Sequence, residues 1–412
     1  MSATPVSVVV VSRGRPEALK RCLTGVAQLA YAQFEVVVVA DPGGVAAIGD
    51  LPFDDQIKIV PFDQANISAA RNLGIANSAG EVVAFVDDDA VPEPGWLFHL
   101  MAAFDDPEVA AAGGYVRGRN GISLQWGAQS VDHRAQTTPL ALDGRTPVVL
   151  HPGPRRAIKT EGTNMAVRRD LLADMGGFDP AFRYFLDETD LNLRLASADR
   201  ATAIVPLAEV HHGYLANAQR TTARVPRDLS EIGASMAVFL RKHCPEPEHA
   251  AVWRAFRKDQ RQRLLRHMIR GDAMPGDVAR LMRGLERGYA KGQAREYGTL
   301  PTIARAADGF HRFDAGRNGP GVILSGRSWQ RRAKRRQAAQ LAANGKVPSL
   351  FLFSPSALYH RIRYDPAGYW EQSGGLFGRS ERSQPLLSWH RFAKRLDSEI
   401  RRVADQRLLG DQ

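Results

Sequence analysis

The chain has 412 residues and only two cysteines, Cys22 and Cys244. Two thiols cannot form a disulfide framework, and their separation is not that of a zinc site. Such usage fits a reducing compartment and points to the cytoplasm. No apolar run approaches the ~20 residues of a membrane span. The opening MSATPVSVVVVSRGR has no basic residue before its short apolar run, so it reads as a first strand and not as a signal peptide. No Gly-x-Gly-x-x-Gly follows that strand, which disfavours a dinucleotide site. Neither Gly-x-x-x-x-Gly-Lys-Ser/Thr nor Gly-x-Ser-x-Gly occurs, which disfavours a P-loop enzyme and a serine hydrolase. The sequence contains no internal repeat.

Charge is plentiful but unevenly placed. Residues 1–200 hold 18 Lys/Arg and 25 Asp/Glu, whereas residues 201–412 hold 37 and 19. An acidic first half and a basic second half suggest separate tasks, and a basic surface attracts anionic lipid, nucleic acid or acidic polymers. Apolar residues make up 44% of the chain, enough for a sizeable core.

The first half alternates strand and helix signals. Val6–Ser12, Phe34–Ala40 and Gln56–Phe62 are β-branched runs suited to strands buried on both faces. Pro16 opens a helix with apolar positions at Leu19, Cys22, Leu23, Val26 and Leu29. Helices are expected over 68–78, 94–105, 167–175 and 189–197, and strands over 81–86, 109–117 and 201–210. This order predicts an α/β fold with a mostly parallel central sheet. Residues 118–160 have weak periodicity and read as a mobile loop over the site. Beyond about residue 225 the pattern is mostly helical, near 228–243, 250–271, 275–290, 328–343 and 386–408, with one strand at Ser349–Phe353. Residues 298–326 read as a linker. The expected division is 1–243, 244–297 as a basic helical extension, the linker, and 327–412 as a small α+β region.

The most informative segment is Glu81–Asp89, where an apolar run ends in Asp87-Asp88-Asp89. Unpartnered carboxylates are costly to bury, so the cluster belongs at an exposed strand end, where ligands bind in open α/β sheets. Alternation along the strand sends Asp87 and Asp89 to one side and Asp88 to the other. Oxygen ligands so placed suit a hard divalent cation that also holds phosphate oxygens. A second cluster, Asp187-Glu188-Thr189-Asp190, precedes a helix. Asp187 there suits a cap with Asp190 as its partner, which leaves Glu188 to take a proton. Between the clusters, Gly162-Thr163-Asn164 reads as a turn that a ligand approaches closely. His211-His212 ends a strand and offers an imidazole to a metal. Asn66 and Arg71 follow the third strand.

Taken in order, VSVVVVSRGRP, VVVVAD, AARNLGIANSAGEVVAFVDDDAVP, EGTNMAVRRDLLADMGGFDPAF, LDETDLNLRL and VHHGYLANAQRT resemble the family-two glycosyltransferases with a GT-A fold, over roughly residues 5–243. The resemblance implies a nucleotide-sugar donor, Mn2+ or Mg2+, and inversion at the anomeric carbon. It implies nucleotide-sugar contacts from Ser12, Arg13, Asp41, Arg71, Asp87, Asp88, Gly162, Thr163 and Asn164. Asp89, Asp87 and His212 would hold the metal; His212 is preferred to His211 because Arg220 then stands at the familiar distance. Glu188 matches the usual base, with Asp187 a rival because the pair reads Asp-Glu, and Asp190 beside them. Ser-Arg-Gly-Arg replaces an aromatic-Asn pair after the first strand, so the pocket there is expected to be more cationic.

The implied acceptor is a carbohydrate or a lipid-linked sugar in polysaccharide or glycolipid assembly, and no nucleic acid is expected. In the extension, Arg254, Arg257, Lys258, Arg261 and Arg270 alternate with Trp253, Phe256, Leu264, Met268 and Ile269. Such a helix either lies on an anionic membrane surface, which would place the protein on the inner face, or packs on the catalytic domain. A second basic run is Arg331-Arg332-Ala333-Lys334-Arg335-Arg336. Two other functions compete: a nucleotidyltransferase, which needs a Gly-rich, Lys-containing loop after the first strand, and a non-catalytic adaptor for anionic surfaces.

Overall fold

The computed structural model describes residues 3–213, 225–298, 300–314 and 321–409. Its first unit is built on β1 (Val6–Ser12), α1 (Pro16–Val26), β2 (Phe34–Ala40), α2 (Pro42–Ile48), β3 (Ile57–Pro61), α3 (Ile67–Ala76) and β4 (Val82–Asp87). β1 pairs in parallel with both β2 and β4, and β2 with β3. The period of two sorts β1 into layers. Val6, Val8 and Val10 pack with Leu19, Leu23 and Val26 of α1, whereas Val9 packs on the other face with Ile75, Phe178 and Leu191. Both faces are covered, which is why these strands are apolar throughout.

The sheet continues through β5 (Ala90–Pro92), α4 (Trp96–Ala102), β6 (Val109–Arg117), β12 (Met165–Arg168), α5 (Arg169–Asp174), α6 (Asp187–Ser197) and β13 (Ala201–His212). β12 lies antiparallel between β4 and β6, while β13 runs parallel to β6. The helix expected over 167–175 therefore begins later, at Arg169, because Met165–Val167 are captured as a strand between β4 and β6.

Residues 118–160 are not a simple loop. They contain β7 (Leu124–Trp126), β8 (Gln129–Asp132), β9 (Thr137–Pro139), β10 (Val148–Leu150) and β11 (Arg156–Lys159). β11, β8 and β9 form their own antiparallel sheet, while β7 and β10 extend the main one. Each has three or four residues, too few for alternation to stand out in the sequence.

After β13 come α7 (Ser230–His243), α8 (Glu246–Ile269) and α9 (Pro275–Gln293). α7 and α9 cross closely: a Cβ on Gly288 would lie 1.9 Å from the Ser230 carbonyl oxygen, so glycine is required there. Trp253, Phe256, Leu264 and Met268 of α8 pack inward with residues of α7, α9 and Tyr184-Phe185, whereas Ile269 is exposed. Packing accounts for four of the five apolar positions considered for a membrane face. No helix among the described residues is long and apolar enough to cross a membrane.

Residues 300–314 run along the first unit. Phe313 is buried against Phe34 and Phe53, with ring centroids 5.3 and 5.5 Å away, and its amide donates to the Phe34 carbonyl. The last region is more than helical. It holds β14 (Val322–Arg327), α10 (Arg331–Ala343), β15 (Pro348–Ser354), β16 (Arg361–Asp365), β17 (Tyr369–Gly375) and α11 (Phe392–Arg407), with strand order β14-β15-β17-β16. This small sheet docks on the first unit through Val91, Ile362, Tyr364 and Trp370, and through a buried ion pair between Arg407 and Glu93 at 2.9 Å.

Candidate active site

Where β4 ends, the chain turns through Asp88 and Asp89 into β5, and β5 pairs with the end of β13. That register sets His212 opposite Ala90 and so beside Asp89. His212 Nε2 lies 3.1 Å from Asp89 Oδ1, and its Nδ1 lies 3.1 Å from Gln125 Oε1. Ligating atoms of Asp87, Asp89 and His212 all lie within 4.8 Å of one another. His211 points the opposite way, to Glu93 at 2.8 Å and to the Trp370 ring, with centroids 4.7 Å apart. Arg220 lies outside the described residues.

A cleft of about 630 Å3 opens here, lined by Asp87, Asp89, His212, Arg71, Gly162, Thr163, Asp187 and Glu188 together with Arg15, Lys159 and the aromatic residues Trp126, Tyr184 and Phe185. Asp88 does not line it. It is fully buried, accepts from Ser12 Oγ at 2.7 Å and pairs with Arg15. Burial pushes the Asp88 carboxyl up to about 7, against the pull of Arg15. Arg15 also reaches Asp89 Oδ2 at 3.1 Å.

Arg71 is buried and spans the two acidic clusters. It pairs with Asp187, with Asp87 Oδ1 at 3.2 Å, and donates to the Gly162 carbonyl at 3.1 Å. A Cβ on Gly162 would sit 2.4 Å from its guanidinium, so glycine here makes room for Arg71. Phe178 covers the guanidinium at 5.1 Å. Removing one partner of so buried a network costs about 3–5 kcal/mol.

Asp187 does not cap α6. The capping position is Leu186, held in the left-handed region at φ 66°, ψ 11°, and Asp187 is the first helical residue, turned toward Arg71. A left-handed leucine costs on the order of 1–3 kcal/mol, and its burial in the core beside Phe182 holds it there. Glu188 then faces the cleft, 3.7 Å from Lys159 Nζ. Burial works to raise the Glu188 carboxyl, but Lys159 and Arg71 outweigh it and hold it below the ordinary carboxylate range. Burial pushes its neighbour Asp187 up instead, against the pull of Arg71.

Asp190 and Asn164 also lie away from the cleft. Asp190 is fully buried beneath α7, where it meets Lys242 and His243 at 2.8 Å and Arg194 at 2.9 Å. Asn164 faces the sheet interior. Its Oδ1 accepts from Trp96 Nε1, and its Nδ2 donates to the Tyr115 and Ala208 carbonyls, which commits the whole side chain to joining strands. Asp41 lines neither cavity; it caps α2 through Gly44 N at 3.1 Å and accepts from Gly14 N at 3.0 Å. Ser12, Arg13, Arg15, Phe62 and Asn66 line an adjoining cavity of about 270 Å3.

Residues 7–175 match the family model for glycosyl transferase family 2. The matched stretch runs from β1 to α5 and includes the acidic turn after β4. The chain is 29% identical over 216 residues to the pre-mycofactocin glycosyltransferase of Mycobacterium tuberculosis (strain CDC 1551 / Oshkosh), a match covering 51% of this chain and 43% of that protein. It is 28% identical over 221 residues to the succinoglycan biosynthesis protein ExoM of Rhizobium meliloti, covering 50% and 66%. The solved mannosyltransferase PcManGT from Pyrobaculum calidifontis, in complex with GDP-Man and Mn2+, aligns with a TM-score of 0.43 at 17% identity, covering 71% of this chain and 88% of that one. The chain thus spans less than half the length of the mycobacterial relative.

Proposed function

We propose that the protein is an inverting glycosyltransferase that moves a sugar from a nucleotide-sugar donor to an acceptor hydroxyl in glycan assembly. The observation that carries this reading is the convergence of Asp87, Asp89 and His212 in one cleft with Glu188, inside a family-two domain. Two carboxylates and an imidazole suit Mn2+ better than Mg2+, which prefers oxygen alone. When bound there, the cation would supply charge stabilisation for a departing diphosphate.

The chain's own residues do the rest. Arg15 fixes Asp89 through Oδ2, so that Oδ1 faces His212. Glu188, kept ionised by Lys159 and Arg71, accepts the proton of the acceptor hydroxyl as its oxygen attacks. Asp187 is engaged by Arg71 and acts in positioning. Trp126, Tyr184 and Phe185 wall the cleft and limit water that would hydrolyse the donor. The smaller cavity beside Ser12 and Arg13 receives the nucleoside. Ser328–Arg336 aside, the exposed arginines of α8 support attraction to an anionic membrane face, which co-sedimentation with anionic vesicles at low and high salt tests.

The deciding experiment incubates the protein with a panel of nucleotide-sugars, with Mn2+ or with chelator. Cation-dependent release of a nucleoside diphosphate from at least one donor is expected. No release from any donor, with candidate glycan acceptors present, sinks the reading.

A further inference from the structure

The C-terminal unit has a cavity of its own, about 630 Å3, at the carboxyl ends of β14 and β15. Ligands bind at that end of open α/β sheets, since strand termini and the first turn of the next helix leave backbone donors unpaired there. The side chains add to this. Arg331 and Arg335 come from the start of α10, Arg361 from the start of β16, and hydroxyls from Ser328, Ser354 and Ser373; among the described residues no carboxylate lines the cavity. Arg335 is fixed by Glu371, donating to both of its oxygens at 2.6 and 2.7 Å. Arg331 and Arg361 are exposed, and neither is ion-paired among the described residues. At the rim stand Leu358, 66% exposed, and Tyr359, 55% exposed, an apolar edge next to an unneutralised cationic floor.

We infer that this cavity binds a phosphate ester. Arg331 and Arg361 hold the phosphate oxygens, because a guanidinium fork matches phosphate and is always charged. Ser328 and Ser373 donate hydroxyl hydrogen bonds, and Tyr359 with Leu358 receives the organic portion. The site is separate from the Asp87–Asp89–His212 cleft and does not depend on the reading of that cleft. Either a soluble sugar phosphate or a phospholipid headgroup presents this chemistry.

The test uses the full chain in chelator, so that cation-dependent binding elsewhere is silent. Inorganic phosphate and glucose 1-phosphate are titrated calorimetrically, and phosphatidylglycerol vesicles are co-sedimented, with wild type and with the Arg331→Gln/Arg361→Gln variant. Saturable binding of a soluble probe in the millimolar range or tighter, or vesicle binding, is expected, weakened at least about tenfold in the variant. A glucose 1-phosphate response identifies a soluble ligand; a vesicle response alone identifies a headgroup. Should the double variant be unstable, Arg361→Gln on the edge strand β16 serves in its place. Absence of binding by all three probes, or binding undiminished in a folded variant, overturns the proposal.

Discussion

The chain presents opposite charge at the carboxyl ends of its two parallel sheets. Around β4, five carboxylates line one cleft, with Arg15, Arg71 and Lys159 threaded among them. Around β14 and β15, arginines line the other, with no carboxylate among the described residues facing in. Topology chooses the location in both cases, and side chains choose the ligand. The difference lies also in what is already neutralised. Arg71 joins Asp87 to Asp187, Arg15 joins Asp88 to Asp89, and Lys159 joins Glu161 at 2.5 Å to Glu188, so the acidic cleft is fixed before any ligand arrives. The basic cavity has one fixed arginine and two without an ion-pair partner among the described residues, so its charge is directed outward.

Substitutions in the acidic cleft test this contrast, and Asp89→Asn should have the largest effect on turnover. It keeps the size of the side chain and removes the charge that faces His212. Loss of several kcal/mol of charge stabilisation corresponds to on the order of a thousandfold in turnover with Mn2+. Thermal unfolding should shift little, and an active Asp89→Asn enzyme would falsify the assignment. Next comes Glu188→Gln, which cannot accept a proton. A fall of about a hundredfold or more in turnover with donor affinity little changed is expected. If Asp187→Asn proves crippling and Glu188→Gln mild, both folded, the roles exchange.

A smaller effect, and a different readout, comes from Lys159→Met. Lys159 holds the Glu188 carboxyl down, so its removal raises that carboxyl. The base must be ionised to act, and the acid limb of the kcat/KM profile should therefore move to higher pH. An unmoved acid limb would mean that Glu188 is not the titrating base, even if the rate falls.

How much of this was legible in the sequence differs by region for physical reasons. β1, β2 and β6 declared themselves because strands covered on both faces are apolar throughout. β7 to β11 did not, since each is short and partly exposed. The acidic clusters stood out by composition, and alternation separated Asp88 from its neighbours. Arg15 was legible only as part of the cationic Ser-Arg-Gly-Arg turn, not as the partner of Asp88 and Asp89. Lys159 carried no signal, because a lone basic residue has no spacing to read and only the fold brings it to a carboxylate. Asn164 misled for the converse reason. A small polar residue after glycine suits a ligand, yet a sheet interior with stray carbonyls at Tyr115 and Ala208 claims the same amide. Leu186 shows the same limit: nothing in LDETD signals a left-handed turn that displaces Asp187 from the cap.

The least effect on turnover, and the sharpest view of how the two units are joined, should come from Glu93. This residue follows β5, four positions beyond Asp89, and its carboxylate is buried between Arg407 of α11 and His211 of β13. Burial alone would raise the carboxyl, but Arg407 and His211 outweigh it and hold it at about 2. A group whose acid is strengthened by folding stabilises the native state above its unfolded value, near 4.5, and loses that contribution as the pH falls toward about 2. The joint should therefore loosen within that acidic window, while the core of β1, β2 and β4, held by apolar contacts among Val6, Val8, Val36, Val38 and Val82, stays closed. Amide hydrogen exchange read separately in α11 and in β1 resolves the two. Glu93→Gln should speed exchange in α11 already at neutral pH, since it leaves Arg407 buried without its counter-charge, and should reduce the acid dependence of that segment to what Glu399 contributes, a carboxyl held at about 2 against burial by Arg402. Uniform loosening of both regions on acidification would show instead that the molecule opens as one body, and the contrast between its two sheets would then be one of ligand chemistry alone.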